Sequence, residues 1–569
     1  MRDKEEFFNI LTAIDGQDLA EYSKLVGDFD FSRYVLKINQ VQRKAEGKST
    51  LFLVRVPQII AAFAPHLFNT PVRRTALEDF LARKIAAQLE GLARYDEEGV
   101  SHRRMTISCP GQKILPRSAL VVTEEYIEAR VYVDLPSRHG LIAGDSAKAI
   151  FFDDLPGVVT GSLIYCNLNA KEVEDFVNLM EDADQIRQVL PTRGWVSFVG
   201  EGAMLPRAGN TDLPEYSQVS ALSVADDLAV EIEVPNAGTV RGFGIPAGIT
   251  VLLGDACSGR IDLMRALAAG IYNHAPGDGR ELVITVPDAV YVAAEAGRSV
   301  QRVDLSAFVP GDEAMKSYTS GHADRFAAQA AGTVEALEAG ARVLLYDEAD
   351  SSAEFLASDA RIAGLLPGVE NRIVPLSARV RQIADELGGS VIVGGLAAVA
   401  EFIPLADAVF KIEGGKVSGV TQAAKALGVQ APAAKAAPAD IAALAEGSRW
   451  VVPSSLDPSA GRYDASIDAP ATHTLVFGRS TIDLSGVAQM ADVYQTRTIG
   501  LILYYAKLRY MDEPRPIREI LDLIDRDLST DGLEALTRDL RGDLARPRRY
   551  EIAAALNRLA TLRTTRETR

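Results

Sequence analysis

The chain has 569 residues, 47% of them hydrophobic and 24% charged, with a formal net charge of -17. That length exceeds what one hydrophobic core supports and implies roughly three domains of ordinary globular composition. The acidic balance disfavours nonspecific attraction to a phosphate backbone, so nucleic-acid binding would need a local basic patch.

The charged start Met1-Arg-Asp-Lys-Glu-Glu6 is followed by no long apolar run. No window reaches the roughly 18 apolar residues of a membrane span, so a cytoplasmic location without a membrane partner is expected. Residues 1–215 read as an α+β domain. Phe7 to Leu25 and Arg74 to Leu92 have helical periods, and Ala119 to Asp134 alternates as paired strands do. Residues 216–420 read as an α/β P-loop core, in which a strand over Leu228 to Pro235 precedes a glycine loop and a helix from Asp262 to Gly270. Two buried parallel strands follow at Arg342 to Tyr346 and Ser390 to Val393. Residues 421–447 are rich in Ala, Pro and Lys and read as a linker with helical tendency. Residues 448–569 read as a mostly helical domain, with helical periods over Leu484 to Tyr510, Ile517 to Leu528 and Arg549 to Leu562. The three cysteines, Cys109, Cys166 and Cys257, have no metal-ligand spacing, so neither a disulfide framework nor a zinc site is expected.

The segment Ile249-Thr-Val-Leu-Leu-Gly254-Asp-Ala-Cys-Ser258-Gly259-Arg260-Ile261-Asp262 has the skeleton of a phosphate-binding loop. In such loops backbone amides wrap the phosphates, a lysine follows the second glycine, and a Ser or Thr hydroxyl after it holds Mg²⁺. Arg260 takes the lysine position with a bulkier planar fork. Ile261 takes the hydroxyl position and cannot coordinate a hard cation. Asp255 and Asp262 add carboxylates that oppose an anionic ligand.

Downstream, the apolar run Val343-Leu-Leu-Tyr346 delivers Asp347 and Glu348 at a strand's C-terminal edge, where α/β ligand sites lie. Asp347 is the candidate Mg²⁺ carrier and Glu348 the candidate base that orients water. The blander reading is that acids often follow buried strands as turn formers.

With these motifs in place, the chain resembles the predicted ATPases of the ABC class. The resemblance rests on Asp15-Gly16, Ile38-Asn-Gln-Val-Gln42, Cys109-Pro-Gly-Gln-Lys-Ile-Leu115 and Val196-Ser-Phe-Val-Gly-Glu-Gly-Ala-Met-Leu-Pro-Arg207. It continues through Gly270-Ile-Tyr-Asn-His274, Pro276-Gly-Asp-Gly-Arg280, Glu335-Ala-Leu-Glu-Ala-Gly340, Gln495-Thr-Arg497 and Arg546-Pro-Arg-Arg549, in family order. The resemblance implies an ABC-type core, a homodimer, and ATP and Mg²⁺ as cofactors.

Where the family carries its Ser-Gly-containing signature, this chain has Asp324-Arg325-Phe-Ala-Ala-Gln329; an alternative register uses Ser320-Gly321. Ser351 falls in the D-loop region, and Gly394-Gly395-Leu396-Ala397-Ala398 replaces the polar segment that senses γ-phosphate. ABC sites are composite, one subunit's loop facing the partner's signature. With both altered, the expected function is that of a degenerate ATPase, a regulatory or scaffold pseudoenzyme that binds ATP weakly and hydrolyses it poorly or not at all, with ATP and Mg²⁺ binding weakened or lost. An active, divergent Mg²⁺-dependent ATPase is one alternative and an RNA-binding protein the other, with RNA or protein as the partner.

For RNA, the compact basic patches are Arg103-Arg104, Arg546 to Arg549 and Arg563 to Arg569, with Tyr550 as a stacking candidate. Solvated helix ends are the better reading of them, and the acidic balance points the same way. Cys257, near a helix start and Arg260, fits a redox-sensitive thiol or, more blandly, a small loop residue. His274 lacks a second ligand and is expected to fix a helix end. Residues 1–215 contain no constellation that carries chemistry.

Overall fold

The alternation over Ala119–Asp134 becomes a hairpin of Leu120–Val122 and Tyr126–Val133, and the longer strand also pairs along its whole length with Thr50–Pro57. One face buries Ile127, Ala129, Val131 and Val133. The other carries Glu128 and Arg130, also buried; Glu128 is held by Arg55 at 2.6 Å, so the charged face is paired rather than solvated. The computed structural model describes residues 1–41, 49–92, 94–95, 101–102, 104–209, 211–217, 220–357, 373–429 and 439–566.

Contacts divide the chain into two units, Met1–Glu181 with Leu533–Arg546, and Asp182–Gly532 with Pro547–Arg569. In the first, a mixed sheet packs with the helix Pro71–Gly91, which starts where Thr70 accepts the Arg73 amide at 3.2 Å and Pro71 fills a position needing no donor. The helix buries Leu77, Phe80, Leu81 and Ile85. The return segment belongs to this unit because Ser108 and Ser118 bond to Gly542 and Leu544, the former at 2.7 Å.

The second unit holds the expected P-loop core. Its strands are β1 (Ser223–Val224), β2 (Ile249–Leu253), β3 (Ala289–Tyr291), β4 (Val343–Asp347), β5 (Ser390–Gly395), β6 (Ala408–Glu413) and β7 (Lys416–Gly419). Its main helices are α1 (Arg260–Ala269), α2 (Arg325–Glu338) and α3 (Leu376–Leu387). The spatial order is β1-β7-β6-β2-β5-β4-β3, parallel throughout except for β6 against β7. Helices cover both faces of such sheets, which is why Val251, Leu252 and Val391 to Val393 are fully buried and read as continuous apolar runs. Each such side chain contributes about 1.5–3 kcal/mol relative to exposure.

Trp195–Gly200, which the sequence reading assigns to the N-terminal segment, pairs here with Gly238–Pro246 and Val283–Thr285 in an antiparallel sheet of the second unit. Within the 421–447 stretch, Thr421–Ala426 and Ile441–Glu446 are helical, while 430–438 lie outside the described residues. Three helices follow, Val493–Arg509, Ile517–Thr530 and Arg549–Arg558, together with an antiparallel sheet of Ile467–Ala471, Thr474–Phe477 and Ser480–Asp483 that periodicity did not suggest. A buried pair, Arg449 with Glu338 of α2, ties this part to the core, and Arg449 also donates to the Gln301 carbonyl at 2.9 Å. Among the described residues no helix is long and apolar enough to cross a membrane.

Candidate functional site

Parallel order brings β2, β4 and β5 side by side, so the glycine loop, the acidic pair and Gly394-Gly395 emerge at one sheet edge. The loop between β2 and α1 turns inward on itself. Asp255 accepts the Cys257 amide at 2.8 Å, the Asp255 carbonyl accepts the Ser258 amide at 3.3 Å, and Ser258 Oγ accepts the Arg260 amide at 3.4 Å. Three amides that would wrap phosphates in a working loop thus have acceptors within the loop. Gly259, at φ 92°, makes the turn into α1, a conformation that costs glycine least.

Arg260 does not extend toward solvent. It is 4% exposed, donates from Nε to the Gly254 carbonyl at 2.8 Å, and forms an ion pair through a terminal nitrogen with Asp347, itself 1% exposed. The other Asp347 oxygen accepts the Ala349 amide at 2.9 Å. Glu348 is capped by backbone: one oxygen accepts the amides of Leu396 at 2.6 Å and Ala397 at 3.2 Å, the other that of Ala398 at 3.2 Å. A Cβ at Gly395 would lie 2.5 Å from a Glu348 oxygen and one at Gly394 would lie 2.9 Å from Asp347. The two glycines therefore stand where the acids approach the neighbouring strand.

The signature-like residues begin α2. Asp324 is its N-cap, accepting the Ala327 amide at 2.8 Å, so a carboxylate sits where a helix N-terminus would otherwise meet an anion. Arg325 donates to the Ser351 carbonyl at 3.0 Å. Gln329, fully buried, donates to Ser351 Oγ at 2.9 Å and accepts the Ser352 amide at 2.8 Å, which fixes the D-loop to α2. Gln329→Ala should leave these groups buried without their partner and cost about 1–3 kcal/mol, read as a lowered unfolding midpoint, with faster amide exchange at Ser352.

Ile261 and Asp262 are half-buried in the first turn of α1, and Cys257 is exposed. His274 does fix a helix end: Nδ1 meets Asp278 at 2.8 Å and Nε2 lies 3.3 Å from the carbonyl of Ala269, the last residue of α1. The patch at Arg548 to Tyr550 is engaged within the fold. Arg548 donates to Glu551 and to the Pro287 carbonyl at 2.6 Å, and Arg549 pairs with Asp522 at 2.6 Å. The Tyr550 hydroxyl faces the Gly340 carbonyl at 3.4 Å, and its ring lies beside Arg548 at 5.0 Å. Thr564–Arg566 is a strand against Arg449–Val451; Arg103 and 567–569 lie outside the described residues. The amides of Leu396, Ala397 and Ala398 are the site groups sequence reasoning missed. Backbone donors leave no side-chain signature, and the glycine pair before them was the available signal.

Family models match almost the whole chain in order: the N-terminal model of ATPases of the ABC class over residues 4–166, the ABC ATPase P-loop domain over 169–446, and the MRB1590 C-terminal domain over 466–565. The chain belongs to the ABC class of P-loop ATPases. Among solved structures, cbiO1 from Clostridium perfringens, described as part of the ABC transporter complex cbiONQ, is similar at 15% identity over 41% of this chain and 91% of that one, with a TM-score of 0.24. No curated protein matches the sequence.

The family generally binds ATP and Mg²⁺. The residues here do not fit the metal: Ile261 supplies no hydroxyl, one Asp347 oxygen is taken by Arg260 and the other by an amide.

Proposed function

We propose that this ABC-class ATPase is a degenerate one, a regulatory or scaffold protein that binds nucleotide weakly and hydrolyses it weakly or not at all. The observation that carries this reading is the buried Arg260–Asp347 pair: a tethered cation satisfies the metal-holding carboxylate from within the chain. The amide cap on Glu348 supports it, since a carboxylate engaged with three backbone donors is a poorer acceptor for a water proton. The Asp324 cap puts negative charge at the signature helix, repelling a γ-phosphate across a dimer. The fold is proposed to pair with a second copy through its core, as ABC ATPases commonly do, with neither composite site turning over. The engagement of Arg548 and Arg549 inside the fold favours this over RNA binding at those residues.

Phosphate release by the natural chain and by Glu348→Gln tests the proposal. Release by the natural chain should be weak or absent, and Glu348→Gln should not lower it. Glu348→Gln should instead lose about 1–3 kcal/mol of stability, because an amide donor then faces amide donors. Mg²⁺-dependent release that Glu348→Gln abolishes would establish an active, divergent ATPase.

A further inference from the structure

β3 is the outermost strand of the central sheet, and the backbone groups on its free side need partners once buried. Side chains from the C-terminal region supply them. Gln489, itself buried, accepts the Tyr291 amide at 3.0 Å and donates to the Ala289 carbonyl at 3.2 Å. One side-chain amide thus makes the two bonds, on either side of Val290, that a residue of a neighbouring parallel strand would make. The same nitrogen donates to the Ala268 carbonyl near the end of α1 at 2.9 Å. Arg548 adds bonds to the carbonyls of Pro287 at 2.6 Å and Ala289 at 2.9 Å.

The other end of Tyr291 reaches the D-loop. Its hydroxyl donates to the Asp350 carboxylate at 2.7 Å, and the Ala294 amide donates to the Asp350 carbonyl at 2.8 Å. Burial, reinforced by the Asp350 charge, raises the pKa of the phenol, so the hydroxyl stays a donor. Asp350 immediately precedes Ser351 and Ser352, which Gln329 and Arg325 hold from the α2 side. The D-loop therefore has two supports, α2 on one side and Tyr291 on the other. Tyr291 is in turn held by Gln489, all within the second unit.

We propose that Gln489 and Tyr291 form a mechanical link through which the C-terminal region sets the position of the D-loop, so that a load on that region reaches the nucleotide site. The inference holds whether or not the glycine loop turns ATP over.

The test is hydrogen exchange of the full chain, read at the D-loop (348–352), at β3 (289–292), and at β2 and β5 as references. Tyr291→Phe, which removes only the hydroxyl, should speed D-loop exchange about tenfold and leave β3 within about twofold. Gln489→Met, similar in length but without the amide, should speed β3 and the D-loop alike, again about tenfold. In the double variant the D-loop should exchange no faster than in Tyr291→Phe alone, because the link is already cut. β2 and β5 should stay within about twofold in every variant. A D-loop indifferent to Gln489→Met, additive effects in the double variant, or equal acceleration across the whole unit would overturn the proposal. Tyr291→Phe leaves the core volume intact and so keeps the test decisive if Gln489→Met does not fold: an unchanged D-loop in that variant alone would overturn it.

Discussion

Asp347→Asn should destabilise the second unit by about 3–5 kcal/mol, because it leaves the Arg260 guanidinium buried without its counter-charge. Arg260 is 4% exposed, and its remaining bond, to the Gly254 carbonyl, does not neutralise it. The reverse half of the argument is equally testable. Removing both charges, as Arg260→Met with Asp347→Leu, should recover most of the loss, since buried ion pairs exchange for apolar side chains of similar volume at little net cost. Chemical denaturation followed by tryptophan fluorescence gives the comparison, Trp195 and Trp450 both lying in this unit. If Asp347 were held ready for a metal instead, the Asn variant would keep its stability and the double variant would gain nothing over it.

The second large effect is expected from restoring the loop. Arg260→Lys with Ile261→Ser replaces the planar fork with a compact ammonium and returns a hydroxyl to the first turn of α1. Mg²⁺-dependent ATP affinity should rise by about tenfold or more, measured by calorimetry. Phosphate release should stay low. Asp324 still caps α2, and Glu348 is still held by the amides of residues 396–398. Losing a single transition-state donor alone costs on the order of 100–1,000-fold in rate. A gain in binding without a gain in turnover would separate the loop's defect from those of the signature and the acidic pair.

Local signals carried most of the architecture. The apolar run before Asp347 became a buried central strand, the glycine loop led into α1 as spaced, and the acidic pair emerged at the strand's C-terminal edge. Contacts between distant residues were not legible. Arg260 reads as a phosphate ligand by position, and only the packing of β4 beside β5 and α1 shows it turned onto Asp347. Pairing decided Trp195–Gly200 as well, because its alternation suits either unit and the partner strand Gly238–Pro246 settles where it belongs. The small sheet within 467–483 escaped notice because its strands are short and interrupted by Pro470, Thr472 and His473, which blur the two-residue period. Leu533–Arg546 returns to the first unit through backbone bonds that composition cannot announce.

The central claim, that Arg260 takes the metal's place on Asp347, is tested most directly by titrating ATP into the natural chain by calorimetry with and without Mg²⁺. The account predicts weak or undetectable binding that Mg²⁺ does not strengthen. Tight binding that depends on Mg²⁺ would contradict it.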